Sequence, residues 1–174
     1  MGTRSITVFE DEDGEEVARL YRQMDGYPEG HGLDMAHFFE GNQIVNGYGM
    51  TGEDIFNYNG MGDLAAQLVA QLKTFHWPLV AGGTLNKILP SGKVGKVTNL
   101  MPDATQPKEY GHPRVGEFYL VGAGTTGMGE EYIYTVFPFE LPDGTTIPYI
   151  KIEDTYQMTT LFEGSPTELI AKFG

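Results

Sequence analysis

Ser5-Ile-Thr-Val-Phe-Glu10, the turn around Asp13-Gly14, and Val17-Ala-Arg-Leu-Tyr-Arg-Gln-Met24 form the stretch that decides the fold. In the first segment Ile6 and Val8 alternate with Thr7 and Phe9, the two-residue period of a strand. The last segment is ambiguous, because Val17, Leu20, Tyr21 and Met24 also fit a helical spacing. Asp-Gly between two apolar runs decides for a hairpin, since glycine takes the positive φ of a tight turn without a steric penalty. Strands are expected at 5–10 and 17–24.

Outward from the hairpin, Leu33 to Glu40 reads as a short helix closed by Gly41. Residues 43–48 suit a short strand or irregular chain. In 63–75 an apolar stripe of Leu64, Leu68, Leu72 and Phe75 predicts the central helix, with Asp63 as its N-cap and Pro78 as its stop. The β-branched and aromatic runs 117–121, 132–139 and 145–152 predict strands, the last two joined through Asp143-Gly144. Thr159 to Phe162 suits a final strand, and Ser165-Pro166 opens a helix through Phe173. The Gly-, Pro- and Lys-rich segment 82–116 reads as a long excursion with room for one small hairpin. No regular βαβ alternation occurs, so a doubly wound sheet is disfavoured. The fold class expected is α+β: one domain, mostly antiparallel sheet, with two to three helices packed on it.

The chain has 174 residues, 24 glycines, no cysteine and a formal charge of −13. Without cysteine there are no disulfides, thiolate metal sites or cysteine nucleophiles. No apolar run reaches the ~18 residues of a membrane span, and the N-terminal residues carry no apolar secretory core. A soluble, cytoplasmic protein without membrane association is expected. The acids concentrate early: residues 1–60 carry twelve against Arg4, Arg19 and Arg22. Residues 79–116 reverse the balance, with Lys87, Lys93, Lys96, Lys108 and Arg114 against Asp103 and Glu109. Such a surface disfavours duplex nucleic acid, which needs clustered cations, but leaves room for a nucleotide-sized ligand in a local pocket. Solubility alone explains an acidic surface; the sharper reading is a mimic of nucleic acid that blocks a basic site on another protein. The basic segment also suits pairing between copies of the chain.

The densest set of chemical groups is Asp25-Gly-Tyr-Pro-Glu-Gly-His-Gly32, just after Arg22. Glycine lets backbone approach a ligand closely, and Tyr27 offers a stacking face. On a strand, Arg22 shares a face with Leu20 and Met24, and a half-buried Arg needs a carboxylate or an anionic ligand. The plain structural alternative is a rigid loop in which Arg22 pairs with Asp25. Asn59-Gly-Met-Gly-Asp63 offers amides to an anion, but capping explains it equally. Gly122-Ala-Gly-Thr-Thr-Gly-Met-Gly129 lacks the Gly-Lys-Ser/Thr ending of a phosphate loop and reads as a flexible hairpin loop. His31, His37, His76 and His112 show no metal-site spacing, and Asp34 with His37 supplies two ligands at best, so neither metal nor other cofactor is expected. No nucleophile elbow is present, and nothing requires an enzyme.

Met1-Gly-Thr-Arg-Ser5 and Tyr21-Arg-Gln-Met-Asp-Gly-Tyr-Pro-Glu-Gly-His-Gly32 resemble a family of uncharacterised small acidic proteins from bacteriophages and bacteria. The likeness continues through Ile44-Val-Asn-Gly47, Asn59 to Val69 and Gly129-Glu-Glu-Tyr-Ile-Tyr134, most of the chain outside 82–116, a segment that the resemblance implies is a surface insertion. The resemblance implies no activity, cofactor or catalytic residue. It implies a phage-like setting, in which small acidic proteins counter host defences by binding something. The leading expectation is a non-enzymatic protein that captures a small anionic, nucleotide-like ligand through Arg4, Arg22, Asp25, Tyr27 and His31. The alternatives are an acidic antagonist of a host protein and a nucleotide hydrolase with His31 as base.

Overall fold

A computed structural model describes residues 2–47, 57–74, 79–88, 94–102 and 117–174, with backbone alone along 79–88 and 94–102. The chain forms two compact units, Met1–Val69 with Gly116–Gly174, and Ala70–Val115. Every strand and helix of the expected α+β architecture that lies within the described residues is present, with shifted ends.

The hairpin stands as expected: β1 (Ser5–Glu10) pairs antiparallel with β2 (Glu16–Arg22), Ser5 opposite Arg22 and Thr7 opposite Leu20. The Asp11 carboxylate accepts the amides of Asp13 and Glu15, and Gly14 takes φ +78°. Next, Pro28–Gly32 forms a wide helical turn where an irregular loop was expected, and it runs directly into α1 (Leu33–Phe39). Gly41 closes that helix at φ +77°. A two-residue parallel ladder joins β3 (Ile44–Val45) to β4 (Tyr58–Asn59).

Helix α2 (Gly60–Thr74) begins three residues before the expected cap. Asp63 lies inside its first turn and reaches back to accept the Asn59 amide at 2.9 Å, which satisfies a helix-end donor from within. Leu64, Leu68 and Leu72 are buried, as their spacing requires. Phe75, His76, Pro78 and His112 lie outside the described residues. The expected small hairpin within 82–116 is larger: β5 (Leu79–Ile88) pairs antiparallel with β6 (Val94–Pro102).

The main sheet adds β7 (Phe118–Leu120), β8 (Tyr132–Glu140), β9 (Thr146–Asp154) and β10 (Thr159–Gly164), in the order β10-β9-β8-β1-β2-β7. All its pairs are antiparallel except β1 with β8. Two strands therefore separate β7 from β8, and residues 121–131 cannot be a hairpin loop. They form a strap that crosses β2 and β1. Val121 and Met128 pack there on Ile6, Val8 and Tyr21.

The opposite face holds the larger core, with Phe9, Leu20, Tyr134, Val136, Ile150 and Ile152 all buried. Helix α1 and α3 (Pro166–Phe173) cover it, and Leu169 of α3 meets Tyr134 and Ile152 around Gly32. Ser165 and Glu168 form a reciprocal capping box at the start of α3, with Pro166 at the first helical position. No described helix is long and apolar enough to cross a membrane.

Candidate functional site

Arg22 ends β2 on the core face, 4% exposed. Its Nε donates to the Met24 carbonyl at 2.6 Å, and its Nη1 donates to Asp34 Oδ2 at 2.7 Å and to His31 Nδ1 at 3.0 Å. The guanidinium lies 4.8 Å over the Phe118 ring, on the strand paired with its own. The partner is therefore Asp34, not Asp25. The wide turn at Pro28–Gly32 carries the chain back so that the first turn of α1 faces the end of β2. Asp34 had been weighed only as a metal ligand beside His37, and its carboxylate is already engaged.

His31 is fully buried. An arginine has only donors, so Nδ1 must accept, and the proton of a neutral imidazole lies on Nε2. Nε2 then donates to Thr7 Oγ1 at 2.7 Å, and that hydroxyl faces Met35 Sδ at 3.9 Å. The result is a directional chain from Arg22 through His31 and Thr7 to Met35. Both ring nitrogens are occupied, which leaves His31 no lone pair with which to act as a base. Tyr134 meets the imidazole edge-on at 5.1 Å and donates its hydroxyl to the Gly26 carbonyl at 2.8 Å. Burial raises the Tyr134 hydroxyl well above the usual tyrosine value, with Arg22 opposing the shift.

Gly26 is the residue that lets this loop dock. Its amide donates to the Thr3 carbonyl, and a Cβ there would stand 2.8 Å from the Arg4 carbonyl carbon and from the Ser5 amide and hydroxyl. Asp25 takes φ +56° and uses its backbone carbonyl to hold the His31 amide. Its side chain is exposed, and Tyr27 is 37% exposed. Both lie at the surface of the loop while Arg22 and His31 lie beneath it.

Arg4 stands apart. It continues the alternation of Ile6 and Val8, on the sheet face away from Arg22 and under the strap. Its Nε is buried with no hydrogen-bond partner, and among the described residues no carboxylate lies within ion-pair distance. Gly129 makes the space: a Cβ there would lie 2.5 Å from Arg4 Nη1, and its φ is +79°. Tyr21 and Tyr119 pack nearby, their rings tilted by 41° with centroids 4.9 Å apart. Burial raises the Tyr21 hydroxyl, Tyr119 and Glu130 push the same way, and Arg4 opposes them. Glu130 accepts the Gly127 amide through Oε1, while Oε2 is buried without a partner.

The strap over this group is pinned at several points. Arg19 pairs with Glu16 at 2.6 Å and donates to the Thr125 carbonyl at 3.0 Å, and Glu16 also accepts the Gly124 amide. Arg19 holds the Glu16 carboxyl below its usual range.

The five expected residues thus fall into three places: Arg22 with His31 in a closed internal network, Asp25 with Tyr27 outside it, and Arg4 on the other face. Sequence reasoning missed Thr7, Asp34, Phe118, Tyr134 and Glu130. Thr7 carried a signal, since two residues before Phe9 on a strand it shares Phe9's face, which places a hydroxyl on a core face in need of a polar partner. A cleft of about 330 Å³ lies between the end of α1, the β8–β9 turn and the start of α3. Its lining includes Asp143 and no cation, which suits an anion poorly.

No family model, curated protein or solved structure matches the chain.

Proposed function

We propose that this is a non-enzymatic binding protein of phage type that captures a small anionic, nucleotide-like ligand through Arg4. The observation that carries the reading is Arg4, whose Nε is buried without a hydrogen-bond partner and which has no carboxylate within ion-pair distance among the described residues. Arg4 is half-buried, and its buried Nε–H has lost water without gaining an acceptor, a cost that a bound anion would offset. Tyr119, packed on Tyr21, is 38% exposed and offers a ring for a base, and Glu130 supplies an acceptor for ribose hydroxyls or ring N–H groups. The closed network at Arg22 and His31 supports binding over hydrolysis, because the candidate base has no free nitrogen. Sequestering such a ligand would counter a host defence that signals with it, in line with the family resemblance.

The test is a thermal-shift panel of inorganic phosphate, nucleoside monophosphates and cyclic mono- and dinucleotides, followed by titration calorimetry. A ligand at a hundredfold excess over Kd stabilises by about 2.7 kcal/mol. Arg4→Ala should abolish the shift, and Arg4→Lys should restore little of it, for want of the planar fork. A flat panel, or a shift that survives Arg4→Ala, would sink the proposal.

A further inference from the structure

We infer that the turn between β9 and β10 is a docking knob for a protein whose surface presents an apolar recess rimmed by Lys and Arg. Thr159 pairs with Asp154, so residues 155–158 form a four-residue loop. The loop is firmly built. Asp154 Oδ1 accepts the amides of Tyr156 and Gln157, the Thr155 amide donates to the Glu131 carbonyl at 3.0 Å, and the Thr155 hydroxyl donates to the Glu130 carbonyl at 2.8 Å. On this platform Tyr156 is 75% exposed and Met158 89% exposed.

Scattered surface apolar residues need no explanation, but Met158 holds φ +52°, a conformation that turns give to Gly or Asn. A large apolar side chain is thus kept at a position where backbone geometry disfavours it, and it projects beside a second one. Local strain of this kind concentrates where function over-determines the residue.

The surroundings choose the partner. Asp154, Glu131 and Glu29 all act on Tyr132 at the foot of the turn, and their charge joins the burial that raises its hydroxyl. No cation lies within ion-pair distance of these three acids among the described residues. An apolar tip in an acidic collar fits a basic-rimmed recess, and it repels the anionic headgroups of a cytoplasmic membrane leaflet. The inference does not rest on the Arg4 reading: the loop uses the backbone carbonyl of Glu130, while that reading uses its carboxylate.

The full chain with Tyr156 replaced by benzoylphenylalanine would be irradiated in bacterial extract and its adducts mapped by mass spectrometry. The expected result is one dominant protein adduct, crosslinked at a peptide that combines Lys or Arg with apolar residues. Its yield should fall at least tenfold when Met158→Gly is added. Met158→Gly relieves the positive φ and should raise the Tm, so that loss cannot be unfolding. The absence of an adduct, an adduct indifferent to Met158→Gly, or one that maps to a lipid or to a second copy of this chain would each overturn the inference.

Discussion

Arg22 Nη1 donates to His31 Nδ1 at 3.0 Å, and this one bond fixes the tautomer of a fully buried imidazole. Long-range proton–nitrogen spectra should therefore show His31 neutral with its proton on Nε2. A proton on Nδ1 would mean that the Arg22–His31–Thr7 order is wrong.

The same network predicts that Arg22 serves stability. Removing one member of a fully buried ion pair costs roughly 3–5 kcal/mol. The Asp34 side chain is 38% exposed and can rehydrate, so Arg22→Ala should cost less, about 2–3 kcal/mol by urea unfolding. Arg22→Lys should recover under half of it, because an ammonium cannot serve Met24, His31 and Asp34 together. An Arg22→Ala protein as stable as the parent, but deficient in ligand binding, would return the anion site to Arg22.

Buried tyrosines set the alkaline limit. Burial pushes Tyr58 up to about 12, with Asp63 adding and the Asn42 hydrogen bond opposing, and Tyr134 is raised as well. The folded state thus keeps protons that the unfolded chain surrenders from about pH 10, so stability is full below that value and falls above it, for Tyr58 up to its folded value. Urea midpoints measured from about pH 8 to pH 11.5 should decline, and Tyr134→Phe should flatten the slope. That variant should cost about 1 kcal/mol at neutral pH, for the bond to the Gly26 carbonyl.

What was legible in the sequence was local. Asp13-Gly14 between alternating runs, and Ser165-Pro166 ahead of the last helix, each lie within a few residues of the structure they specify. The strap was misread because Gly122 to Gly129 looks like any hairpin loop from within; only the parallel pairing of β1 with β8 shows that it must cross two strands. Asp34 as partner of Arg22 depends on the wide turn at Pro28–Gly32, which no short pattern announces. Arg4 is the opposite case. Its parity with Ile6 and Val8, against Arg22 facing Ser5, already separates the two arginines onto opposite faces.

The hairpin of β5 and β6 belongs to the unit Ala70–Val115, so the first unit should not depend on it. Replacing residues 79–115 by a flexible linker of about ten residues should leave a cooperative melt and a dispersed amide spectrum. A molten product would show that the hairpin contributes to the core of the first unit.

Gly129 and Arg4 supply the most direct probe of the proposed site. A Cβ at position 129 would stand 2.5 Å from Arg4 Nη1, and the backbone there is at φ +79°. Gly129→Ala should therefore cost about 1–2 kcal/mol for the left-handed backbone and also displace the guanidinium. If Gly129 exists to seat Arg4, part of that cost is the clash, and it should vanish when Arg4 is already Ala. The double variant should then be less destabilised than the sum of the singles by about 0.5–1 kcal/mol, the size of coupling expected for residues in contact. Gly129→Ala should also weaken any anion found by the ligand panel at least tenfold, although position 129 carries no charge. Gly124→Ala is the control, since Gly124 also has a positive φ (+71°) but no atom within 4 Å of its Cβ position. It should show the backbone cost without the loss of binding. Strict additivity with Arg4→Ala, or equal binding loss in both glycine variants, would detach Gly129 from the site and leave its positive φ as its whole explanation.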